Sequence, residues 1–332
     1  MCMASCGMKF IPHDATFRVG FVPYKKLEIS MSKFHDGERR VQERAQEVED
    51  AESNGSVIAN TIMPGAKPFI ARQMMLAAAS VAADGSPWAS LLFGPAGFVT
   101  AQEQSLTIDL VRLHRDARDP LWQHLAQDFR IGLVAIELGS RRRYRVNGRA
   151  ERVGESLNIA VVEAYPNCPK FIHRRIPHLG DSHPVNDHPR ENKLTTEDHA
   201  LLTVADTAFV ASVAPSDMPD ASHRGGLAGF IEVLADGRLR LPDYPGNSMF
   251  NTWGNLTLDP RAALVVPDFV HGRALQIAGS VELLWDQPDP NGRTAGTQRF
   301  WTIRPERVRS ATLPVAITWE TLDASPLSPR WK

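Results

Sequence analysis

The sequence predicts a mainly β fold with inserted helices, in which two small barrels follow one another along the chain. The first observation is an internal repeat, because residues 79–98 match residues 211–230 without a gap. The match resumes after a shift of one residue, as in Gly148 with Gly279. A long repeat that occurs only twice indicates a duplicated domain rather than a solenoid. The second observation is that short apolar segments alternate with turn signals, with one helical segment late in each copy, which is typical of a small barrel.

The composition limits the class of protein. With 332 residues the chain has room for two domains, and its formal net charge of -1 gives no bulk attraction to nucleic acid. Since no apolar run approaches the ~20 residues of a bilayer span, we expect no membrane partner. The three cysteines, Cys2, Cys6 and Cys168, do not form a disulfide framework. Together with the lack of a signal-peptide apolar core, this favours a cytoplasmic location.

The first copy is predicted over residues 35–176, after an N-terminal extension over residues 1–34 that shows no clear period. Residues 36–52 have apolar side chains about one helical turn apart, which predicts an amphipathic helix. A short helix is predicted at 121–127. The predicted strands of this copy are 69–83, 88–93, 98–101, 105–110, 129–137, 143–153 with a turn at Asn147-Gly148, and 157–164, which is strand or helix.

Residues 177–194 are predicted to be a linker, because the stretch is rich in His, Pro, Asp and Ser. Its histidines, His178, His183 and His188, lack the ligand spacing of one element, so no metal site is predicted. The second copy is predicted over residues 195–332 and opens on Thr195, which resembles a helix N-cap. Its predicted elements are strands at 207–214, 220–224, 229–234, 238–242, 262–268 and 274–284, a helix between 247 and 258, and one or two strands within 300–319.

The two copies differ at a place that points to chemistry. Copy two has Ser222, His223 and Arg224 in succession, where copy one has Ser90 followed by two leucines and lacks the arginine. Because side chains alternate along a strand, Ser222 and Arg224 share one face and His223 takes the other. In copy two a Gly- and Asn-containing turn then opens onto the predicted helix, and the N-terminus of a helix suits an anion such as phosphate.

Two interpretations of these residues stay open. In the first, Arg224 supplies a charged fork to the anion, and neutral donors come from Asn247, Ser248, Asn251 and Thr252. In the second, Arg224 makes a structural ion pair and Asn247 caps a helix. The spacing is not that of a P-loop, and no G-x-G-x-x-G follows a strand, so the common nucleotide-binding folds are not expected.

These motifs together resemble the pyridoxamine 5'-phosphate oxidase-like FMN-binding split-barrel family, and within it the two-barrel flavin-nucleotide-binding branch. The resemblance covers roughly residues 34–320. It implies tandem split barrels with FMN at the junction of the two barrels. The motifs are Ser222-His223-Arg224-Gly225-Gly226, Gly229-Phe230, Pro242-Asp243-Tyr244-Pro245-Gly246-Asn247, Asn255-Leu256 and Asp259-Pro260-Arg261 in copy two, and Phe34-His35-Asp36-Gly37-Glu38, the segment 84–90, Asn147-Gly148-Arg149 and Asn167-Cys168-Pro169-Lys170 in copy one.

The resemblance also implies which residues hold the cofactor. In copy two, phosphate and ribityl contacts would fall on Ser222, Arg224, Asn247, Ser248, Asn251 and Thr252. Copy one would supply the opposite wall through Arg142, Arg143, Asn147 and the turn 167–170, although Lys170 as a surface residue and Cys168 as a small buried residue are equally good interpretations. Because copy one lacks the arginine and the Gly-Asn pair, we expect one competent FMN site per chain, built mainly by copy two.

The function that the resemblance implies is an FMN-dependent oxidoreductase, acting on an unidentified small molecule with NADH or NADPH as a candidate electron donor. The paired basic residues of a pyridoxal-phosphate site are not found, so oxidation of pyridoxamine phosphate itself is not expected. His223 is a candidate proton donor and an equally good scaffold residue. Two alternatives are a non-catalytic flavin-binding or redox-sensing protein and a haem-binding split barrel with His223 or His271 as the axial ligand. A homodimer is compatible with the sequence.

Overall fold

The computed structural model describes residues 33–215 and 217–331, and these residues form a mainly β structure with inserted helices, as predicted. The predictions for Cys2, Cys6 and most of the N-terminal extension 1–34 concern residues outside the described part of the chain. None of the described helices combines the length and the apolar character that a bilayer span requires.

Six α-helices and seventeen strands make up the described part of the chain. The helices are α1 (Asp36–Ala45), α2 (Val48–Gly55), α3 (Lys67–Ala71), α4 (Pro120–Gln127), α5 (Thr196–Val204) and α6 (Asn251–Leu258). The strands are β1 (Met75–Val81), β2 (Pro87–Phe93), β3 (Val99–Ala101), β4 (Ser105–Asp109), β5 (Arg130–Glu137), β6 (Arg142–Val153), β7 (Ser156–Asn167), β8 (Arg174–Ser182), β9 (Asp187–Glu191), β10 (Thr207–Ser212), β11 (Asp220–Gly225), β12 (Glu232–Val233), β13 (Leu239–Pro242), β14 (Arg261–Asp268), β15 (Arg273–Leu284), β16 (Phe300–Thr312) and β17 (Val315–Asp323).

The two large sheets have the same strand order, which confirms the duplication. The first sheet runs β2-β1-β5-β6-β7-β4-β3, and the second runs β11-β10-β14-β15-β16-β13-β12. Each strand of one sheet has its counterpart at the same place in the other. The inserted helices correspond as well, since α4 precedes β5 and α6 precedes β14.

Each sheet encloses its own hydrophobic core, and a third core lies between the two sheets. Strands β1 and β10 are buried along their whole length because one face of each lines a barrel and the other face packs against the opposite copy. The approach is close at Gly132, where a Cβ atom would lie 2.1 Å from the carbonyl oxygen of Pro219. The junction of the two copies is therefore a packed interior.

Two predicted features of copy one are different in the structure. The strand predicted at 69–83 begins only at Met75, because Pro68 at the start of the short helix α3 favours a helical turn there. The turn predicted at Asn147-Gly148 is a β-bulge inside β6, which pairs with β5 and β7 on both sides. A Cβ at Gly148 would lie 2.2 Å from the carbonyl oxygen of Ala160, so the bulge requires glycine.

The predicted linker 177–194 contains β-structure. Strand β8 ends within it and pairs with β17, and β9 pairs with the edge of β16. The polar composition that predicted a linker belongs to strands that lie at the surface of the protein, where polar side chains remain in water. The domain boundaries themselves stay a prediction. The capping box predicted at Thr195 is present, since its hydroxyl accepts a hydrogen bond from the backbone N–H of Asp198.

The helix predicted over residues 36–52 is two helices, α1 and α2, because Gln46 adopts a left-handed conformation with φ of 61°. Helix α1 packs against α6 of the second copy, although it was predicted to be part of the first domain. The two helix backbones nearly touch, since a Cβ at Gly37 would lie 2.2 Å from the carbonyl oxygen of Gly254. Val41 of α1 is part of the core of the second barrel.

Candidate functional site

A cavity of about 120 Å³ lies at the junction of the two copies and is lined by both of them. Copy one contributes alternate residues of β6 and the turn that follows β7. Copy two contributes β11 and the segment that leads into α6. The lining side chains with polar groups are Arg143, Arg145, Asn167, Cys168, Lys170, Ser222, His223, Arg224, Asp243, Tyr244, Asn247, Ser248, Asn251, Thr252 and Trp253.

Eight of the nine predicted cofactor-binding residues line this cavity, namely Ser222, Arg224, Asn247, Ser248, Asn251, Thr252, Arg143 and Lys170. The exception is Arg142, whose guanidinium carbon lies 5.5 Å from the ring centroid of Phe69. Arg142 is exposed and lies on the face of β6 opposite to Arg143, and it does not line the cavity. The prediction that Arg142 faces the site is therefore corrected.

Arg143 and Arg224 are the two guanidinium groups of the cavity that have no carboxylate within ion-pair distance in the described residues. Arg143 donates from Nε to the carbonyl oxygen of Cys168 at 2.8 Å, and Arg224 donates from Nη1 to that of His223 at 3.2 Å. Burial and the neighbouring Arg145 and Arg224 lower the pKa of Arg143 to about 9, and burial also lowers the pKa of Arg224. Two half-buried cations from the two copies, neither with a carboxylate in ion-pair contact among the described residues, favour an anion between them.

Arg145 lies on the same face of β6 as Arg143 and has counter-charges. Its Nη1 donates to Tyr165 Oη at 2.7 Å and to Asp220 Oδ1 at 3.1 Å, and its Nη2 donates to Ser222 Oγ at 2.5 Å. Although burial opposes it, the pKa of Arg145 is raised by Tyr165 and Asp220. Arg145 was not among the predicted site residues. The alternation of side chains that places Ser222 and Arg224 on one face of β11 also places Arg145 on the same face of β6 as Arg143.

Several buried donors around the cavity have no hydrogen-bond partner among the described residues. They are Arg145 Nε, Asn167 Nδ2, Tyr244 Oη and Trp253 Nε1. A buried N–H or O–H without an acceptor costs about 1–3 kcal/mol, so a ligand rich in acceptor oxygens would relieve this cost. The donor set therefore fits a phosphate-bearing ligand.

Helix α1 and the link between it and α2 hold the start of α6 and the segment before it. This contact was not predicted from the sequence. Ser248 donates from Oγ to Glu47 at 2.7 Å, and Asn251 donates from Nδ2 to Glu38 at 2.6 Å. The N-cap of α6 is Phe250, which has φ of 57° and supplies no side-chain cap. Ser248 and Asn251 line the cavity, but their side chains already have partners.

Three other predicted residues have partners of their own. Asn247 Oδ1 accepts from the backbone N–H of Met249 at 3.3 Å, and Thr252 Oγ1 donates to Ser222 at 3.3 Å. Lys170 donates from Nζ to the carbonyl oxygen of Gly246 at 3.3 Å, so it connects the turn of copy one to the segment of copy two. These contacts shape the cavity wall, and the cations of the cavity without a carboxylate partner among the described residues are Arg143, Lys170 and Arg224.

His223 is buried beneath the cavity, with its ring edge-on to Phe209 at 5.5 Å. Burial, followed by the charges of Arg143 and Arg224, holds the pKa of His223 well below its usual value. A neutral imidazole has no extra proton to give, which argues against His223 as a proton donor. His271 lies elsewhere, in the turn between β14 and β15, and its side chain is 70% exposed and hydrogen-bonded to Asp268.

A group of buried carboxyls lies behind Arg145. Burial and the nearby Asp220 raise the pKa of Glu38 to about 8 and that of Glu163 to about 7. Asn147 joins two of these carboxyls, since its Nδ2 donates to Asp220 at 2.8 Å and to Glu163 at 3.3 Å. Asn147 was predicted to lie near the cofactor. In the structure its side chain contacts these carboxyls and does not line the cavity.

The equivalent region of the other half is filled by an arginine. Arg309 pairs with Gln276 across β15 and β16, as Tyr165 pairs with Arg145 across β6 and β7. It is 4% exposed and donates to Asp116 at 2.5 Å and to Gln276 at 2.8 Å. Its guanidinium also lies within ion-pair distance of Asp187 and Asp119, at 3.3 Å and 3.9 Å.

A family model described as pyridoxamine 5'-phosphate oxidase matches residues 62–175 and 194–311. No curated protein matches the chain. Among solved structures, a HupZ variant from Group A Streptococcus is 16% identical, with a TM-score of 0.28 over 36% of this chain and 99% of its own. A FAD-binding protein from Mesorhizobium loti is 15% identical, with a TM-score of 0.27 and coverages of 39% and 98%. An FMN-binding protein from Nostoc punctiforme is 12% identical, with a TM-score of 0.25 and coverages of 40% and 99%.

The two family matches coincide with the two copies and together span more than half of the chain. They confirm the resemblance that the motifs indicated and the tandem split-barrel architecture. The chain therefore belongs to the pyridoxamine 5'-phosphate oxidase family.

Proposed function

We propose that the chain binds FMN in the cavity between its two copies and acts as an FMN-dependent oxidoreductase on a small molecule. The observation that carries the proposal is the pair Arg143 and Arg224, one from each copy, which lack a carboxylate partner among the described residues. A phosphate monoester has the charge and the acceptor oxygens to satisfy both guanidinium groups.

The remaining polar groups support an extended phosphate-bearing ligand. The unpartnered donors of Asn167, Tyr244 and Trp253 match the oxygens of a polyhydroxyl chain. Phe171 and Tyr244, whose ring centroids are 4.6 Å apart, give the cavity an aromatic wall. Because sites that enclose a drug-sized ligand hold about 300–1,000 Å³, a cavity of about 120 Å³ would take only one end of FMN, and the charges favour the phosphate end.

These contacts indicate which roles would belong to bound flavin and which to the residues of the chain. Bound flavin supplies hydride and electron transfer, and the chain supplies binding and orientation. Arg143 and Arg224 would hold the phosphate, and Arg145 keeps Ser222 in place. Because burial and the charges of Arg143 and Arg224 hold the pKa of His223 well below its usual value, we infer that His223 does not serve as the proton donor at this site.

Loss of one guanidinium tests the proposal. We expect Arg224→Ala to weaken FMN binding by roughly 10- to 150-fold, because a hydrogen bond to a charged group contributes about 1.5–3 kcal/mol. Arg39→Ala, an exposed residue of α1, is the control that should leave affinity unchanged. The measurement is quenching of FMN fluorescence in a titration, and equal affinity of the Arg224 variant and the wild type would overturn the assignment.

A non-catalytic flavin-binding or redox-sensing protein is the second candidate, and the neutral His223 favours it. The two candidates differ in turnover, so the assay is oxidation of NADH or NADPH by the FMN-loaded protein. A visible absorption spectrum comes first. Flavin bands support both candidates, whereas a sharp Soret band would favour the haem-binding alternative.

A further inference from the structure

A second cavity, of about 310 Å³, lies away from the first one, at the ends of β1 and β5 and against the β8–β17 ribbon. Its walls are mainly apolar, and its mouth is edged by charged residues. None of its lining residues lines the cavity proposed for FMN. Its lining includes the apolar residues Met74, Leu138 and Leu322 and the N–H donors Arg72, Arg175 and Trp319.

Arg175 is a buried cation with unused donors. It is 9% exposed, and its Nη2 donates to Asp206 Oδ2 at 2.5 Å. Its Nε and Nη1 are buried and have no partner among the described residues. One face of its guanidinium stacks on Phe269, with 4.3 Å between the carbon and the ring centroid.

Trp319 adds another unused donor beside Arg175. The β8–β17 ladder pairs Trp319 with Pro177 and Thr321 with Arg175, so Trp319 and Arg175 share one face of the ribbon. Both side chains pack on Phe269, since the ring centroids of Trp319 and Phe269 are 4.8 Å apart. The indole Nε1 is buried without a partner in the described residues. Three N–H donors of an otherwise apolar cavity therefore lack acceptors.

Arg72 gives the mouth of the cavity a positive charge. It lies at the end of α3, its side chain is exposed, and it lines the cavity together with Glu137. The other arginines have counter-charges, since Arg174 pairs with Asp323 at 3.0 Å and Arg175 with Asp206. The carboxylate of Glu137 therefore offsets the charge of Arg72, and among the described residues the unused polar groups of the cavity are the N–H donors of Arg175 and Trp319.

We propose that this cavity binds a small organic acid with an apolar body. The body would lie among Met74, Leu138 and Leu322, and the carboxylate would accept from the unused donors of Arg175 and Trp319, on the side of the cavity that Arg72 edges. A cavity of this volume is at the small end of ligand sites, which fits a compact aromatic or branched acid. The proposal does not depend on FMN binding at the first cavity.

A matched pair of probes tests the proposal on the full chain. The probes are 3-phenylpropionate and 3-phenyl-1-propanol, which share the apolar body and differ in charge. By calorimetric titration we expect one acid per chain, bound at least about tenfold more tightly than the alcohol, because charged hydrogen bonds are the stronger ones. Saturating FMN should leave both affinities unchanged.

Two variants and their controls locate the site. Arg72→Gln should weaken binding of the acid about tenfold and leave that of the alcohol unchanged, whereas Arg149→Gln, exposed on β6, should change neither. Leu322→Trp fills the cavity and should weaken both probes, and Leu327→Trp, exposed outside the cavity, should not. Equal affinities for the two probes, binding that Leu322→Trp leaves intact, or no binding at millimolar concentration would overturn the proposal.

Discussion

The two halves of the molecule use the same strand positions at their junction in opposite ways. In one region Arg145 on β6 contacts Tyr165 and Ser222, and a cavity with two free guanidinium groups opens beside them. In the equivalent region Gln276 takes the place of Arg145, and Arg309 fills the space between carboxylates. In the duplicated scaffold, one half thus has guanidinium groups without a carboxylate partner among the described residues, and the other half neutralises its arginine with carboxylates of the chain.

The difference between the two regions lies in the carboxylates that surround their arginines. Both regions contain buried arginines, so the presence of an arginine does not distinguish them. What distinguishes them is the position of the carboxylates. Arg309 has three within 4 Å, whereas Arg143 and Arg224 have none in the described residues. A half-buried cation without a carboxylate in contact favours binding of an anion from outside the chain.

The largest expected effect is that only one of the two regions binds FMN. A titration followed by fluorescence should saturate at one FMN per chain, because the region around Arg309 already contains its own counter-ions. A stoichiometry near two FMN per chain would show that Arg309 can move aside, and it would contradict the expected difference between the two regions.

Removal of the internal counter-ion should cost the most stability. We expect Arg309→Met to lower the free energy of unfolding by about 3–5 kcal/mol, because it leaves Asp116 and Asp119 buried without their cation. Urea unfolding measures the change. Tyr165→Phe, at the equivalent position of the other half, is the control and should cost about 1 kcal/mol, since Arg145 keeps its other acceptors.

The raised pKa of Glu38 gives a pH dependence with a definite sign. Its folded pKa of about 8 lies above the usual value of 4.5, so its contribution to stability is fully present below pH 4.5 and is lost as pH rises through 8. Glu38→Gln should remove this loss and stabilise the protein at pH 8 by at most about 4 kcal/mol, because the pKa shift from 4.5 to about 8 corresponds to about 1.4 kcal/mol per pKa unit and the group is half ionised at pH 8.

Urea unfolding at pH 5 and pH 8 measures this effect. Glu43→Gln, exposed on the same helix, is the control and should keep the pH dependence of the wild type. A parallel pH profile for the Glu38 variant would show that this carboxyl is ionised in the folded protein, contrary to the expectation.

The smallest effects concern the two equivalent serines. Ser90 donates to Asp119 at 2.7 Å, and Ser222 accepts from Arg145 at 2.5 Å, so alanine at either position should cost about 0.5–1.5 kcal/mol of stability. The two variants should differ in FMN affinity, which only Ser222→Ala is expected to weaken. Equal FMN affinities for the two variants would mean that Ser222 plays no part in binding.

Much of the fold could be predicted because the chain repeats itself. Matching residues such as Ser90 and Ser222 occupy equivalent places in the two sheets, and strand alternation correctly put Ser222 and Arg224 together at the cavity. The same alternation puts Arg142 on the face of β6 opposite to Arg143, outside the cavity. Local patterns determine which face of a strand a residue occupies, and this much is readable from a sequence.

Contacts between distant segments could not be predicted from such patterns. The hydrogen bonds of Glu38 to Asn251 and of Glu47 to Ser248 join residues about two hundred positions apart. No local signal indicates that α1 lies on the second copy. The same holds for Asp187, whose segment looked like a linker but supplies a carboxylate to Arg309. Whether an arginine is free or neutralised depends on these partners.

The covalent fusion of the two barrels has an evolutionary consequence. In a symmetric pair of identical chains, every substitution appears at both equivalent sites. Here the two sites are encoded separately, so a change such as an arginine at position 309 alters one of them alone. Fusion thus allows the two equivalent regions to diverge, so that the arginine of one is neutralised by carboxylates of the chain while the other has two guanidinium groups without a carboxylate partner among the described residues.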